Sequence, residues 1–204
     1  MNLELQQELL RRYPKIFRKP ERRPGPAIVL AETSGTSGTH PEKERTPHRG
    51  ADTPLPHLER PGWTVFDERG FECGDGWFDI VDRLARVFET EIDTMIASGT
   101  PKPRWPRIRQ CKEKLGSLRF YVSFPGGIPD RVRQHLLAAE AESRRICESC
   151  GEANSRNDTA PTESWCDRCH AATTASESTF DSTKYARYVQ DNLKVREMLH
   201  NRSE

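Results

Sequence analysis

The chain has 204 residues, 34% of them hydrophobic and 31% charged, with a mean hydropathy of -0.83, which is too little apolar material to fold throughout its length. Its 32 basic and 31 acidic side chains leave a net charge of +1, so any role on a polyanion must come from local clusters and not from the overall balance. No run of about 18 apolar residues occurs, and residues 1 to 20 lack the apolar stretch of a signal peptide, so a cytoplasmic protein with no membrane partner is expected.

Leu3, Leu5, Leu9, Leu10, Tyr13, Ile16 and Phe17 predict an N-terminal helix within residues 1 to 19, limited by Pro14 and followed by a basic run. From Pro20 to Gly62 lie eight of the fifteen prolines, mixed with Ser, Thr, Gly and both signs of charge, the composition of a disordered linker over 20 to 62. His40, His48 and His57 fall in it and read as spacer. A core is expected over 63 to 146. Trp63, Val65, Phe66 and Phe71 suggest a short strand before the turn Gly74-Asp75-Gly76. A helix over 76 to 97 follows, with Asp75 as N-cap, Asp79 and Asp82 favoured by the helix N-terminus, and Ile80, Val81, Leu84, Val87, Phe88, Ile92, Met95 and Ile96 as its apolar stripe. Alternation across Arg107 to Cys111 and Leu118 to Phe124, with Gly116 between, predicts a β-hairpin over 106 to 124. A helix over 129 to 147 follows, its apolar face carried by Val132, Leu136, Leu137, Ala141 and Ile146. Beyond the cysteines, 171 to 181 reads as a second linker and 182 to 202 as a C-terminal helix. The fold class expected is α+β, helices with a β-hairpin and a zinc knuckle.

Cys147, Cys150, Cys166 and Cys169 form a C-x2-C-x15-C-x2-C pattern, the spacing of a tetrahedral thiolate site, so one structural Zn²⁺ over 147 to 170 is expected. Each pair can aim two sulfurs from a single turn, and four thiolates leave no open position for a reacting water. Gly151 supplies the permissive backbone such a turn needs. His170 is an alternative fourth ligand, and a redox pair or disulfide is the competing use of the cysteines. Cys73 and Cys111 lack a C-x2-C partner and read as buried, apolar-like residues.

Four blocks, Arg12-Tyr13-Pro14-Lys15-Ile16-Phe17, Phe71-Glu72-Cys73-Gly74-Asp75-Gly76-Trp77, Lys112-Glu113-Lys114-Leu115-Gly116-Ser117-Leu118-Arg119-Phe120-Tyr121 and Ile146-Cys147-Glu148-Ser149-Cys150-Gly151, together resemble a family of small, uncharacterised proteins encoded by bacteriophages and prophages. The likeness covers about half the chain. The segment 20 to 62 and the tail after 170 depart from it, and Cys169 stands where the family often has histidine. The resemblance implies a phage or prophage origin, a bacterial host cell as location, and no known activity.

Between Pro101 and Phe124 the chain carries a net +6, with Trp105, Phe120 and Tyr121 interleaved, which makes Arg107, Arg109, Lys112, Lys114 and Arg119 candidate nucleic-acid contacts. Residues 11 to 23 carry another +6, whereas Phe66 to Thr100 carries −6, so neutralisation of these stretches by one another within the fold is the first expectation for the charge runs. Catalytic motifs are missing: there is no Walker A loop or complete G-x-G-x-x-G. Cys73 has no nearby histidine outside the linker, and Glu72, Asp75, Asp79 and Asp82 do not follow a calcium-loop pattern. An HNH-type nuclease would need histidine between the cysteine pairs, where only Asn154 and Asn157 occur. The expected function is therefore a non-enzymatic binding or regulatory module working through a host or phage protein, with a nucleic-acid-binding regulator as the alternative.

Overall fold

The computed structural model describes residues 1–20, 64–176 and 182–201; apart from Pro20, the predicted linker lies outside them. Residues 1–19 and 64–204 make one compact unit. In chain order its described helices are α1 (Leu3–Arg12), α2 (Val65–Arg69), α3 (Phe78–Ala97), α4 (Asp130–Ser143), α5 (Asp167–Ser176) and α6 (Ser182–His200). The strands are β1 (Phe71–Glu72), β2 (Arg107–Lys114) and β3 (Ser117–Ser123), ordered β1-β2-β3 with β1 parallel and β3 antiparallel to β2. The fold is thus α+β. A strand is predicted for the segment before Gly74, but most of it is the short helix α2, where the Asp67 carboxylate takes hydrogen bonds from the Thr64 amide and hydroxyl at 2.8 and 2.9 Å.

Most of the stripe predicted for α3 packs inward: Ile80, Val81, Leu84, Phe88 and Ile92 are buried, with Phe88 stacked on Phe120 of β3, whereas Val87 and Met95 are half-buried and Ile96, at the helix end, is exposed. Burying one such side chain stabilises by roughly 1.5–3 kcal/mol. Phe17, Phe66 and Phe71 form a second aromatic cluster at 5.0 to 5.3 Å between ring centres, which joins the N-terminal segment to α2 and β1. Val195 and Leu199 of α6 close that side of the core and crowd Gly70.

Two expected helix details differ. Asp75 does not cap α3; it lies in a 3-10 turn (Asp75–Trp77) and accepts hydrogen bonds from the Asn2 amide and side chain at 2.6 and 2.8 Å. The buried face of α4 is Val132, Ala139 and Ser143 with Leu136 beside them, whereas Leu137 and Ala141 face outward. Ser143 belongs to the inner face because its hydroxyl accepts the Leu118 amide at 2.8 Å and donates to the Glu140 carbonyl, a role that an apolar count passes over.

Acids of α3 hold the N-terminal segment. Asp82 accepts from Arg12 at 2.8 Å, from the Tyr13 hydroxyl at 2.9 Å and from Arg86 at 2.9 Å, while Glu89 accepts the Lys15 and Ile16 amides. Burial alone would raise the Asp82 carboxyl, but the Arg12 and Tyr13 bonds outweigh it and hold it below its ordinary value. A depressed folded-state value contributes stability that is complete above the unfolded value, about 4, and is lost as pH falls through the folded one. Asp82→Asn is expected to cost about 2 kcal/mol at neutral pH and to flatten the acid limb of stability against pH, read by urea unfolding across that range. An unchanged acid limb would remove Asp82 as its source.

Candidate metal centre

The metal-ligating candidates come from two local structures joined by a loop. α4 ends at Ser143, and the chain turns so that the Gly151 amide bonds the Cys147 carbonyl at 2.9 Å and the Cys147 amide bonds the Glu152 carbonyl at 2.7 Å. That tight turn brings Cys150 back beside Cys147, and Gly151 at φ 77° supplies its left-handed step. The second pair sits at the start of α5, with Cys166 just before the helix and Cys169 in its first turn; the His170 amide bonds the Cys166 carbonyl at 2.9 Å. A loop containing a 3-10 turn (Ser155–Asp158) spans the interval.

All four sulfurs lie within 4.8 Å of one another, and Cys150 Sγ and Cys166 Sγ are 3.8 Å apart. A tetrahedron with metal–sulfur bonds of about 2.3 Å has edges near 3.8 Å, so the four cysteines could hold one metal ion. Disulfide sulfurs would be about 2.05 Å apart, and all six cysteines are free. His170 turns toward Arg156, with Nε2 3.4 Å from a guanidinium nitrogen, and stands outside the four-sulfur group.

The surroundings suit thiolates unevenly. The Cys147 sulfur is buried and accepts the Cys166 amide at 3.3 Å; burial pushes its thiol up to about 12. A hydrogen bond from the Glu152 amide draws the exposed Cys150 down to about 6, assisted by Cys169 and Arg168. Adjacent sulfurs cannot all ionise without a cation, so metal binding must release protons and weaken in acid.

Two glycines of the Gly74-Asp75-Gly76-Trp77 turn bring its backbone onto this cysteine loop. The Gly76 amide bonds the Glu148 carbonyl at 2.8 Å, and the Gly74 amide bonds the Glu148 carboxylate at 2.8 Å. A side chain at Gly74 would strike the Glu148 carbonyl, and one at Gly76 would strike the Cys147 carbonyl and the Gly151 amide nitrogen. Trp77, fully buried, donates from Nε1 to the Ile146 carbonyl at 2.8 Å. The other Glu148 oxygen accepts the Ser164 hydroxyl at 2.7 Å, and the Glu148 amide bonds the Ser164 carbonyl at 2.8 Å, tying both cysteine pairs together. The hairpin turn docks on the same loop: a methyl group at Gly116 would meet the Pro161 carbonyl, and Asn157 reaches the Gly116 carbonyl at 3.4 Å. Sequence reasoning did not connect Gly74, Gly76, Gly116 or Glu148 with the cysteines, although the paired glycines before a tryptophan signalled a close backbone approach.

The five basic candidates are divided. Arg107 pairs with Asp67, which is 1% exposed, and Arg119 pairs with Glu140 of α4. Arg109 and Lys114 are exposed and Lys112 half-buried, and none of the three is paired with an acid among the described residues. Cys73, just after β1, and Cys111, on β2, are both buried, and burial pushes the Cys111 thiol well up, away from nucleophilic use. Among the described residues no helix is long and apolar enough to cross a membrane. No family model, curated protein or solved structure matches the chain.

Proposed function

We propose that Cys147, Cys150, Cys166 and Cys169 hold one structural zinc ion, and that the protein is a non-enzymatic binding module of phage or prophage type, working through a protein partner in a bacterial cytoplasm. The observation carrying this reading is that the Gly74–Trp77 turn, the end of α4 and the hairpin turn all seat on the cysteine loop through backbone contacts. A tetrathiolate site fixes these segments relative to one another and leaves no ligand position for chemistry; zinc is the ion most often held this way. The blocks around Trp77, Gly116 and Cys147, through which the sequence resembles phage proteins, are the ones that meet here. Affinity capture from bacterial lysate, with the zinc-loaded protein as bait and the Cys147→Ser chain as control, tests the reading. A stoichiometric protein retained after nuclease treatment and released with the metal supports it; equal capture by both baits opposes it.

The nucleic-acid reading keeps a foothold in Arg109, Lys112 and Lys114, but Arg107 and Arg119 are already engaged with carboxylates. Freeing Arg107 for a phosphate would break its ion pair with the buried Asp67, a loss of roughly 3–5 kcal/mol. Fluorescence anisotropy with labelled DNA and RNA is therefore expected to show no binding at low salt, and Arg109→Glu, Lys112→Glu and Lys114→Glu together should change nothing. Binding that weakens steeply with salt and disappears in the triple variant would favour the alternative instead.

A further inference from the structure

Beside the metal loop, β3 and α4 present a face that the core does not use. Of the five large hydrophobic side chains exposed among the described residues, three lie here: Leu115 (58%), Tyr121 (42%) and Leu137 (59%). Tyr121 and Leu137 share one hollow. A hollow of about 140 Å³ between β3 and α4 is lined by Tyr121, Leu136 and Leu137 with Glu140, and a second, of about 420 Å³, runs from Leu137 and Glu140 to Arg145 and Asn157. Leu137 is the ridge between them. The Leu115 turn borders the second hollow, since Arg144 reaches the Leu115 carbonyl at 3.5 Å and Asn157 reaches that of Gly116.

Leu115 is also the only non-glycine residue with positive φ among those described, at 53° followed by Gly116 at 73°. A two-residue hairpin turn with both central angles positive normally takes Asn-Gly, because a larger side chain there is strained. Here that position holds a leucine out in solvent. Strain at an exposed apolar residue points to use, and a cluster of such residues marks an interaction site.

The rim selects the partner by charge. Arg119 and Arg144 both contact the Glu140 carboxylate through Oε1, leaving further guanidinium N–H groups to donate, and Lys114 and Arg145 are exposed with no paired acid among the described residues. Arg144 and Arg145 line the larger hollow and Arg119 the smaller one, and the acids that line them are Glu140 and the exposed Asp158. We infer that this face docks a protein segment whose leucine-type or aromatic side chains fill the hollows while flanking carboxylates meet the guanidinium rim. The inference rests on the protein-partner reading above and gives that partner its chemistry.

The test pans a random-peptide library displayed on yeast against the zinc-loaded full chain at moderate salt. Enriched peptides should combine spaced leucine or aromatic residues with Asp or Glu, and their affinity should fall about tenfold or more in Leu137→Asp and in Leu115→Asp. Both positions are exposed, so metal content should stay as in the parent and the melting temperature should not fall. Leu115→Asn separates docking from folding: it should raise the melting temperature by relieving the turn and yet weaken peptide binding. No enrichment, a basic or acid-free consensus, or binding indifferent to Leu137→Asp would overturn the inference. So would a dimer in sedimentation equilibrium that Leu137→Asp splits, since a second copy would then be the occupant. Repeating the lysate capture with the Leu115→Asp/Leu137→Asp chain separates the two conclusions. A partner still retained leaves the protein-partner reading intact and removes this face. Peptide binding that depends on Leu137, with no partner captured by the parent, does the reverse.

Discussion

Cys147→Ser is expected to abolish stoichiometric zinc and to expose residues 147 to 170 to protease, with trypsin cutting first at Arg156 and Arg168. Cys147 is the most deeply buried of the four cysteines, and its backbone anchors the turn through Gly151 and Glu152. Serine keeps the shape and loses the thiolate. A tetrathiolate zinc site contributes on the order of 10 kcal/mol at neutral pH, comparable to the entire stability of an average domain. The loss should therefore spread beyond the loop, because Trp77 and Gly76 are bonded to it. Elemental analysis of the purified chain, limited proteolysis and thermal unfolding read the three parts of the effect. Zinc content and digestion identical to the parent would discard the metal assignment. Acidification should imitate the substitution, since each thiolate that takes up a proton is a ligand withdrawn.

The second large effect is expected from Gly76→Ala, a change of one methyl group. The contacts it would strike, the Cys147 carbonyl and the Gly151 amide nitrogen, are backbone atoms within the metal turn, so neither can swing aside like a flexible side chain. Relief requires the Gly74–Trp77 turn to lift away, which breaks the Gly76 amide bond to Glu148 and strands the buried Trp77 indole N–H. A cost of about 3 kcal/mol or more follows, at the upper end for single substitutions. Zinc affinity, measured by competition with a chromophoric chelator, should fall with it, because the same turn braces Glu148 between the two cysteine pairs. Gly99→Ala is the control: Gly99 follows the end of α3, and no atom lies within 4 Å of the added methyl group. Its own left-handed φ of 74° limits the expected loss to roughly 1 kcal/mol with unaltered zinc affinity. Equal behaviour of the two variants would discard the close approach to the cysteines as the reason for glycine at 76.

The long periodic elements were legible because their signal is large. The α3 stripe, the alternating hairpin and the paired cysteines each repeat one chemical preference at a fixed interval, so noise at one position does not erase them. The α4 face was half-read: hydropathy placed Leu137 inside and overlooked Ser143, since a hydroxyl that satisfies a strand amide looks polar in sequence and behaves as core in the fold. Asp82 was read as a helix-end charge, although its partners Arg12 and Tyr13 lie about seventy positions away. Helix α5 runs through Ser176 where a linker was predicted from 171. There Ala171 and Ala172 favour the helix, and the Thr173 hydroxyl bonds back to the Cys169 carbonyl at 3.1 Å. The basic hairpin shows the limit most clearly. Composition found the charge, and only the tertiary arrangement could assign Arg107 to Asp67 and Arg119 to Glu140.

The Trp77 bond to Ile146 and the Gly74 bond to Glu148 bridge 69 and 74 positions of sequence. During synthesis the tryptophan emerges from the ribosome well before its acceptor, and the metal turn cannot close until Cys169 has followed. The buried face of Trp77 therefore cannot close over before the cysteine loop has been synthesised, so this side of the fold completes late.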